Sequence, residues 1–155
     1  MARALVLMGS GETSPTMVTP HQQILKNVTG KKFILDTPYG FQENADELTE
    51  KIRSYFEVNV GIKAEDARLR TQVDRAADIA NAIANINSAE WVFTGPGSPT
   101  YALKTWRETG ASEALKNLLT RGTLVVSSAA ALTVGTHTMP VYEMYKAGHD
   151  PYWVE

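Results

Sequence analysis

Short apolar runs alternate with amphipathic segments along this chain. Most of the runs carry several apolar residues in succession, without polar alternation, as strands buried on both faces of a parallel sheet do. They predict strands over residues 4–8, 32–35, 58–62, 91–93 and 123–126, and a short extended segment over 67–73.

Between these runs, apolar residues recur at spacings of three and four, which predicts helices. The clearest helices run from Asn44, as a cap, to Phe56 and over 74–86, and shorter ones over 21–28, 101–106 and 111–119. Strands that alternate with helices indicate a parallel sheet with helices on both faces. The predicted fold class is therefore α/β, a doubly wound, mostly parallel sheet, and 155 residues suit one domain.

Composition narrows the classes of partner. The chain has 15 basic and 17 acidic residues, a net charge of −2, and no cysteine. This balance gives no electrostatic reason to expect nucleic acid or an anionic membrane, and disulfides, thiolate catalysis and cysteine metal sites are excluded. No apolar run approaches the roughly 20 residues that cross a bilayer, and the run over 4–8 is too short for a signal peptide. We therefore expect a cytoplasmic protein.

Small and polar residues follow four of the predicted strands. They are the stretches GSGE (9–12), DTP (36–38), TGPGS (94–98) and SSA (127–129). Ligands of doubly wound sheets bind beyond the carboxyl ends of the strands. The sequence therefore predicts that the functional site lies among these four stretches.

Ser128 is the candidate nucleophile, because it lies where an apolar strand gives way to small residues. A serine becomes reactive when a base takes its proton and N–H donors hold the developing oxyanion. A sharp strand-to-helix turn supplies such donors, and its usual pattern has glycine two residues before and two after the serine. Val126 and Ala130 occupy those positions here. The alternative is a packed junction where a helix begins.

The loop Gly95-Pro96-Gly97 is the second candidate feature, because glycines allow a backbone to approach a ligand closely. Pro96 has no N–H, so Gly97 is the better oxyanion donor. Ser98 and Pro99 are predicted to cap and start the next helix. A plain turn before that helix is the alternative interpretation.

The stretch after the first strand allows two interpretations. Gly9, Gly11 and Asp36 suggest dinucleotide binding, with Asp36 on the ribose, but Ser14 stands where the fingerprint requires its last glycine. Alternatively, Glu12 reaches the same crevice as Ser128.

Candidate bases and acids are few. Among the histidines His21, His137 and His149, we interpret His21 as structural. Glu143 lies fifteen residues after Ser128 and is a candidate to orient a histidine; its alternative is a solvated loop residue.

Three motifs in order, LVLMGSGE, GPGSPTYAL and VVSSAAA, resemble the cyanophycinase and dipeptidase E group of serine peptidases, peptidase family S51. That group has a flavodoxin-like sheet of the class I glutamine-amidotransferase-like fold. It acts on small peptides, often with an aspartyl residue next to the scissile bond, and the resemblance implies no metal or cofactor. The implied site comprises Ser128 as nucleophile, Glu143 as acid, and the Gly97 and Ala129 N–H groups as oxyanion donors. We further expect Gly9, Gly11, Glu12 and Ser98 to bind the substrate.

The resemblance also places the catalytic histidine beyond Glu155, so we expect that the C-terminal part of the domain is missing, unless His137 or His149 is the base. The apolar end, with Tyr152 and Trp153, either docks on the body or marks an interrupted interior. Two other functions stay open: a non-catalytic small-ligand-binding protein of this fold and a nucleotide-binding enzyme. A homodimer is also left open.

Overall fold

A computed structural model describes residues 3–155. Its sheet consists of β1 (Ala4–Met8), β2 (Lys31–Leu35), β3 (Glu65–Ala67), β4 (Ala89–Thr94) and β5 (Thr123–Ser127). The strands lie in the order β1-β5-β4-β2-β3, and all neighbouring pairs are parallel. The predicted doubly wound parallel sheet is confirmed.

Helices pack on the two faces of this sheet: α1 (Val18–Leu25), α2 (Ala45–Ser54), α3 (Ala76–Ser88), α4 (Pro99–Thr109) and α5 (Ala111–Leu119). A further helix, α6 (Val141–Ala147), lies beside the start of α4. Strand β5 shows how the faces divide. Val125 packs with buried residues of α1 and α2, whereas Leu124 and Val126 pack with those of α3, α4 and α5. Successive side chains of a strand point to opposite faces, so a continuous apolar run supplies both cores.

The predicted strand over 58–62 is wrong, because Tyr55–Val60 forms a π-helix that continues α2. Its alternating valines gave a strand-like pattern, but Val58 is 75% exposed. The wider π turn instead places two consecutive residues, Tyr55 and Phe56, in the core. Gly61, at φ +88°, ends the segment.

The third strand lies at Glu65–Ala67, so the extended segment predicted over 67–73 overlaps it at one residue. After it the chain turns, and the Asp74 carboxylate accepts hydrogen bonds from the Arg70 and Thr71 amides at 3.0 and 3.1 Å. Because of this turn, α3 begins two residues later than predicted. Asn44 precedes α2 but makes no side-chain cap.

Strand β1 lies at the edge of the sheet, and one of its faces is open. Leu5 and Leu7 are 41% and 57% exposed, although their register partners Leu124 and Val126 are buried. None of the helices in residues 3–155 has the length and apolar character needed to cross a membrane.

The C-terminal segment folds back on the loop before α6. Thr138 and Val154 exchange backbone hydrogen bonds of 2.7 and 2.8 Å as an antiparallel bridge. Tyr152 and Trp153 stay 44% and 67% exposed. The segment therefore docks through its backbone, while its large rings face outward.

Candidate functional site

The four polar stretches predicted from the sequence meet at the carboxyl edge of the sheet. Three backbone hydrogen bonds connect them: from the Ser128 amide to the Gly9 carbonyl (3.3 Å), from the Ala130 amide to the Gly95 carbonyl (3.2 Å), and from the Ser98 amide to the Pro38 carbonyl (2.8 Å). The loops after β1, β5, β4 and β2 thus form one continuous surface, as ligand binding in this architecture requires.

Ser128 has the backbone conformation of a strained turn. Its φ is +51°, and no other non-glycine residue of the described chain has a positive φ. Ser127 before it is extended, with φ −127°, and a 3-10 helix (Ser128–Val134) starts at Ser128 itself. A left-handed L-residue costs about 1–2 kcal/mol and persists where the surrounding structure enforces it, often at functional sites.

The turn keeps this geometry without the two usual glycines. Val126 and Ala130 are buried, and both belong to the core that faces α3, α4 and α5. Their side chains therefore fill the core beneath the turn and do not intrude on Ser128, which is half-buried.

Gly97 occupies a position that no other residue fits. Its φ is +134°, and a Cβ built on it lies 1.9 Å from the Pro38 carbonyl oxygen. The loop after β4 therefore lies directly against the loop after β2. Within residues 3–155, the Gly97 N–H has no hydrogen-bond acceptor, so it is free to bind an anionic oxygen.

The Ala129 N–H lies between the amides of Ser128 and Ala130, which both donate backbone hydrogen bonds. It is near the start of the 3-10 helix, where N–H groups have no acceptor inside the helix. Anions are favoured at such a position.

Ser98 and Pro99 begin α4 as predicted, and the Ser98 hydroxyl accepts a hydrogen bond from the Tyr101 amide at 3.1 Å.

Glu143 lies on α6, not in a loop. Its Oε1 accepts hydrogen bonds from the hydroxyls of Ser98 (2.9 Å) and Thr100 (2.5 Å). Its Oε2 is buried and has no partner in the described part of the chain. This carboxylate can compensate the N-terminal dipole of α4, and its free oxygen can accept a hydrogen bond from an imidazole.

None of the three histidines forms a hydrogen bond with Ser128 or Glu143 in residues 3–155. His21 is fully buried, and its Nε2 lies 2.7 Å from the Glu12 carbonyl oxygen. His137 is exposed, and its Nε2 lies 3.3 Å from Glu155. His149 is exposed beside Tyr152. The structural interpretation of His21 agrees with its burial.

Asp36 is wholly buried and its two carboxylate oxygens have partners. They accept hydrogen bonds from the Leu69 amide at 2.9 Å and from the Arg70 Nε at 2.7 Å. Arg70 also binds the exposed Asp46 at 2.7 Å. A ribose hydroxyl would have to displace this ion pair, which disfavours the nucleotide-binding alternative.

Three aromatic rings from distant segments, Phe41, Tyr101 and Tyr142, pack together as the Phe41 cluster. The Phe41 ring lies 4.9 Å from that of Tyr101 and 5.0 Å from that of Tyr142, centroid to centroid. Together with the Glu143 contacts they attach α6 to α4 and to the loop after β2. No sequence signal pointed to this cluster or to Arg70, because each contact joins residues far apart in the chain.

Asp66 in β3 is a carboxylate with a raised pKa beside Asp36. Its Oδ1 is buried and unpaired among the described residues. Burial, and secondarily the nearby Asp36 charge, raises the pKa of Asp66 from 3.8 to about 6. The folded state therefore binds more protons between these values, and stability falls as pH rises through 6.

We expect Asp66→Asn to raise the free energy of unfolding at pH 7.5 by about 1–2 kcal/mol, after allowance for solvent screening. At pH 3.5, where the aspartate is mostly protonated in both states, most of the gain should vanish. Urea unfolding at the two pH values measures it. Asp78→Asn, at an exposed ion pair with Arg75, is the matched control, and an equal gain there would contradict the assignment.

Comparisons with known proteins bear on the fold and the family of the chain. No curated protein matches the chain. Two crystal structures are similar at 19% identity: a peptidase from an acI-B1 Actinobacterium (TM-score 0.69, covering 87% of this chain and 57% of that one) and a putative peptidase E protein from Listeria monocytogenes EGD-e (TM-score 0.61, 83% and 59%). The chain thus spans less than three fifths of either, and the likeness shows the fold. The sequence model of peptidase family S51 matches residues 5–149, and the chain therefore belongs to peptidase family S51.

Proposed function

We propose that this protein is a cytoplasmic serine-type hydrolase of small peptides, aspartyl peptides among them, with Ser128 as its nucleophile. The observation that carries the proposal is the left-handed Ser128 (φ +51°) between β5 and a helix start, in a member of family S51. A serine has no local reason to adopt this conformation, and a turn that presents its hydroxyl above the sheet supplies one.

In the proposed reaction the Ser128 Oγ attacks the peptide carbonyl carbon, and its proton passes to a base. The carbonyl oxygen becomes an oxyanion that accepts hydrogen bonds from the Gly97 and Ala129 amides. Collapse breaks the C–N bond, and the leaving amine takes the proton from the base. Water then hydrolyses the ester on Ser128 by the same proton transfers in reverse. Each oxyanion donor typically contributes a factor of about 10²–10³ to the rate.

We assign the base to a histidine from polypeptide outside residues 1–155. In the part of the chain that the structure describes, no hydrogen bond joins His137 or His149 to Ser128 or Glu143, and this chain covers only 57% and 59% of the similar crystal structures. The Glu143 Oε2 is the atom proposed to accept a hydrogen bond from that histidine, because it is buried and unpaired.

Glu143→Gln separates an orienting role from a purely structural one. The glutamine oxygen can keep the Ser98 and Thr100 hydrogen bonds, so we expect a small change in thermal stability. If Glu143 orients the base, kcat falls by about 10³–10⁴. Glu47→Gln, in the first turn of α2, tests the dipole effect alone. If kcat and thermal stability are both unchanged, Glu143 does not orient the base and acts only through its hydrogen bonds at the start of α4.

The substrate contacts are proposed to come from Gly9, Gly11 and Glu12, in the loop bordering Ser128. Ser98 is proposed to shape the substrate site by fixing its neighbours, because its amide donates a hydrogen bond to the Pro38 carbonyl and its hydroxyl donates one to Glu143.

A non-catalytic ligand-binding protein is the second candidate, favoured by the absence of a histidine at Ser128 within the described chain. A panel of dipeptides, including aspartyl dipeptides, distinguishes the two. The full natural gene product is expected to release amino acids, and Ser128→Ala to abolish the release. Calorimetric binding of a dipeptide without hydrolysis would favour the second candidate.

A further inference from the structure

The loop after β1, residues 9–14, borders Ser128 and carries two further anchors at its other end. A turn closes it through the Ser14 amide and the Gly11 carbonyl, at 2.9 Å. The Glu12 carbonyl lies 2.7 Å from the His21 Nε2, and the Ser14 carbonyl accepts a hydrogen bond from the Tyr55 hydroxyl at 3.1 Å. One side of the candidate site is thus attached to the core by two side-chain donors.

The chemistry of His21 follows from its surroundings. A carbonyl oxygen only accepts, so Nε2 carries the proton. Nδ1 is buried without a partner in residues 3–155, and the ring packs edge-on against Phe56, Tyr55 and Phe93. A second proton on Nδ1 would have no acceptor there. Burial accordingly lowers the pKa of His21, and the hydrogen bond to the Glu12 carbonyl and, after it, the Glu12 charge oppose this only in part.

We propose that His21 and Tyr55 are positioning residues that hold residues 9–14 against the Ser128 turn, so that loss of either donor loosens this side of the site without unfolding the sheet. The inference rests on the proposed function for its catalytic meaning, but the attachment can be measured without any activity. The groups facing His21 are the Glu12 carboxylate on the loop and the Tyr55 hydroxyl at the start of the π-helix; Phe56 and Phe93 are apolar.

Amide hydrogen exchange followed by mass spectrometry tests the attachment. His21→Leu removes the donor, and His21→Gln supplies an amide N–H at a similar distance along the side chain. Within the loop and the turn, the Ser14 and Ser128 amides have hydrogen-bond acceptors. We expect His21→Leu to lower their protection about tenfold or more, the loss expected for one buried hydrogen bond, while β2 and β4 stay protected. His21→Gln restores it. Equal loss of protection throughout the sheet would overturn the proposal.

Tyr55→Phe keeps the test decisive if His21→Leu does not fold, because it removes a single hydroxyl. Loosening limited to residues 9–14 supports the proposal, and unchanged protection there contradicts it. In the wild type, protection corrected for intrinsic exchange should decrease as the pH falls below 6.5, the ordinary pKa of an exposed histidine, because the opened loop then binds a proton that the buried His21 ring disfavours. His21→Gln should lack this step.

Activity gives a separate outcome. If Ser128 is the nucleophile, kcat should fall in His21→Leu and recover in His21→Gln. If no variant and no wild-type protein hydrolyses peptides, the proposed function fails, while the exchange pattern still decides whether the two residues hold the loop.

Discussion

Gly97→Ala is expected to destabilise the protein by about 4 kcal/mol or more, a large part of the roughly 5–15 kcal/mol by which native domains are stable. Two causes act together. The backbone φ of +134° is one that L side chains rarely adopt, and the new Cβ would lie 1.9 Å from the Pro38 carbonyl oxygen. Because that neighbour is backbone, relief requires the loops after β2 and β4 to separate, which would also displace the Gly97 N–H.

Gly61→Ala is the matched control, since Gly61 also has a positive φ, +88°, but no atom within 4 Å of the built Cβ. It should cost only the conformational strain, about 1 kcal/mol. Chemical unfolding of both variants measures the difference. Similar losses for the two would mean that the loops after β2 and β4 do not lie in contact.

Ser128→Gly is expected to abolish reactivity while making the protein more stable than Ser128→Ala by about 1 kcal/mol. Both variants lose the hydroxyl, but only glycine occupies φ +51° without strain. At position 127 we expect the reverse order of stability, with the alanine variant more stable than the glycine variant. Ser127 is extended, at φ −127°, and Ser127→Gly should destabilise by about 0.5–1 kcal/mol relative to Ser127→Ala.

Thermal unfolding of the four variants, with peptide hydrolysis alongside, gives both results. If glycine destabilises at position 128 as it does at 127, the strained turn does not exist in solution. If Ser128→Ala retains hydrolysis, another residue is the nucleophile.

The strands and most helices followed from local pattern. In a run such as 123–126, successive apolar residues point to both faces of a strand. Both faces can be buried when the strand lies inside a parallel sheet, so the pattern predicts such a strand. Ser98 and Pro99 mark the start of α4 by their own chemistry, which acts within one turn. The motifs near Ser128 and Gly97 were likewise short and contiguous.

The sequence pattern failed where wider context decides the conformation. Apolar and polar residues alternate over 58–62 as they do in a strand. In the structure, however, α2 continues into a π-helix that buries Tyr55 and Phe56 together. The positive φ of Ser128 could not be predicted either, because glycine is the residue that usually marks such a conformation and position 128 is a serine. Arg70 and the Phe41 cluster join residues from separate elements, and no single stretch of sequence contains such information.

Fluorophosphonate labelling with peptide mapping is the measurement that tests the nucleophile most directly. We predict that the full natural gene product is modified at Ser128, that Ser128→Ala abolishes the label, and that Ser127→Ala retains it. Label on the full product but not on the 155-residue chain would place the base outside this chain, as proposed. A folded full product that takes no label, or takes it at another residue, would contradict the assignment of Ser128 as the nucleophile.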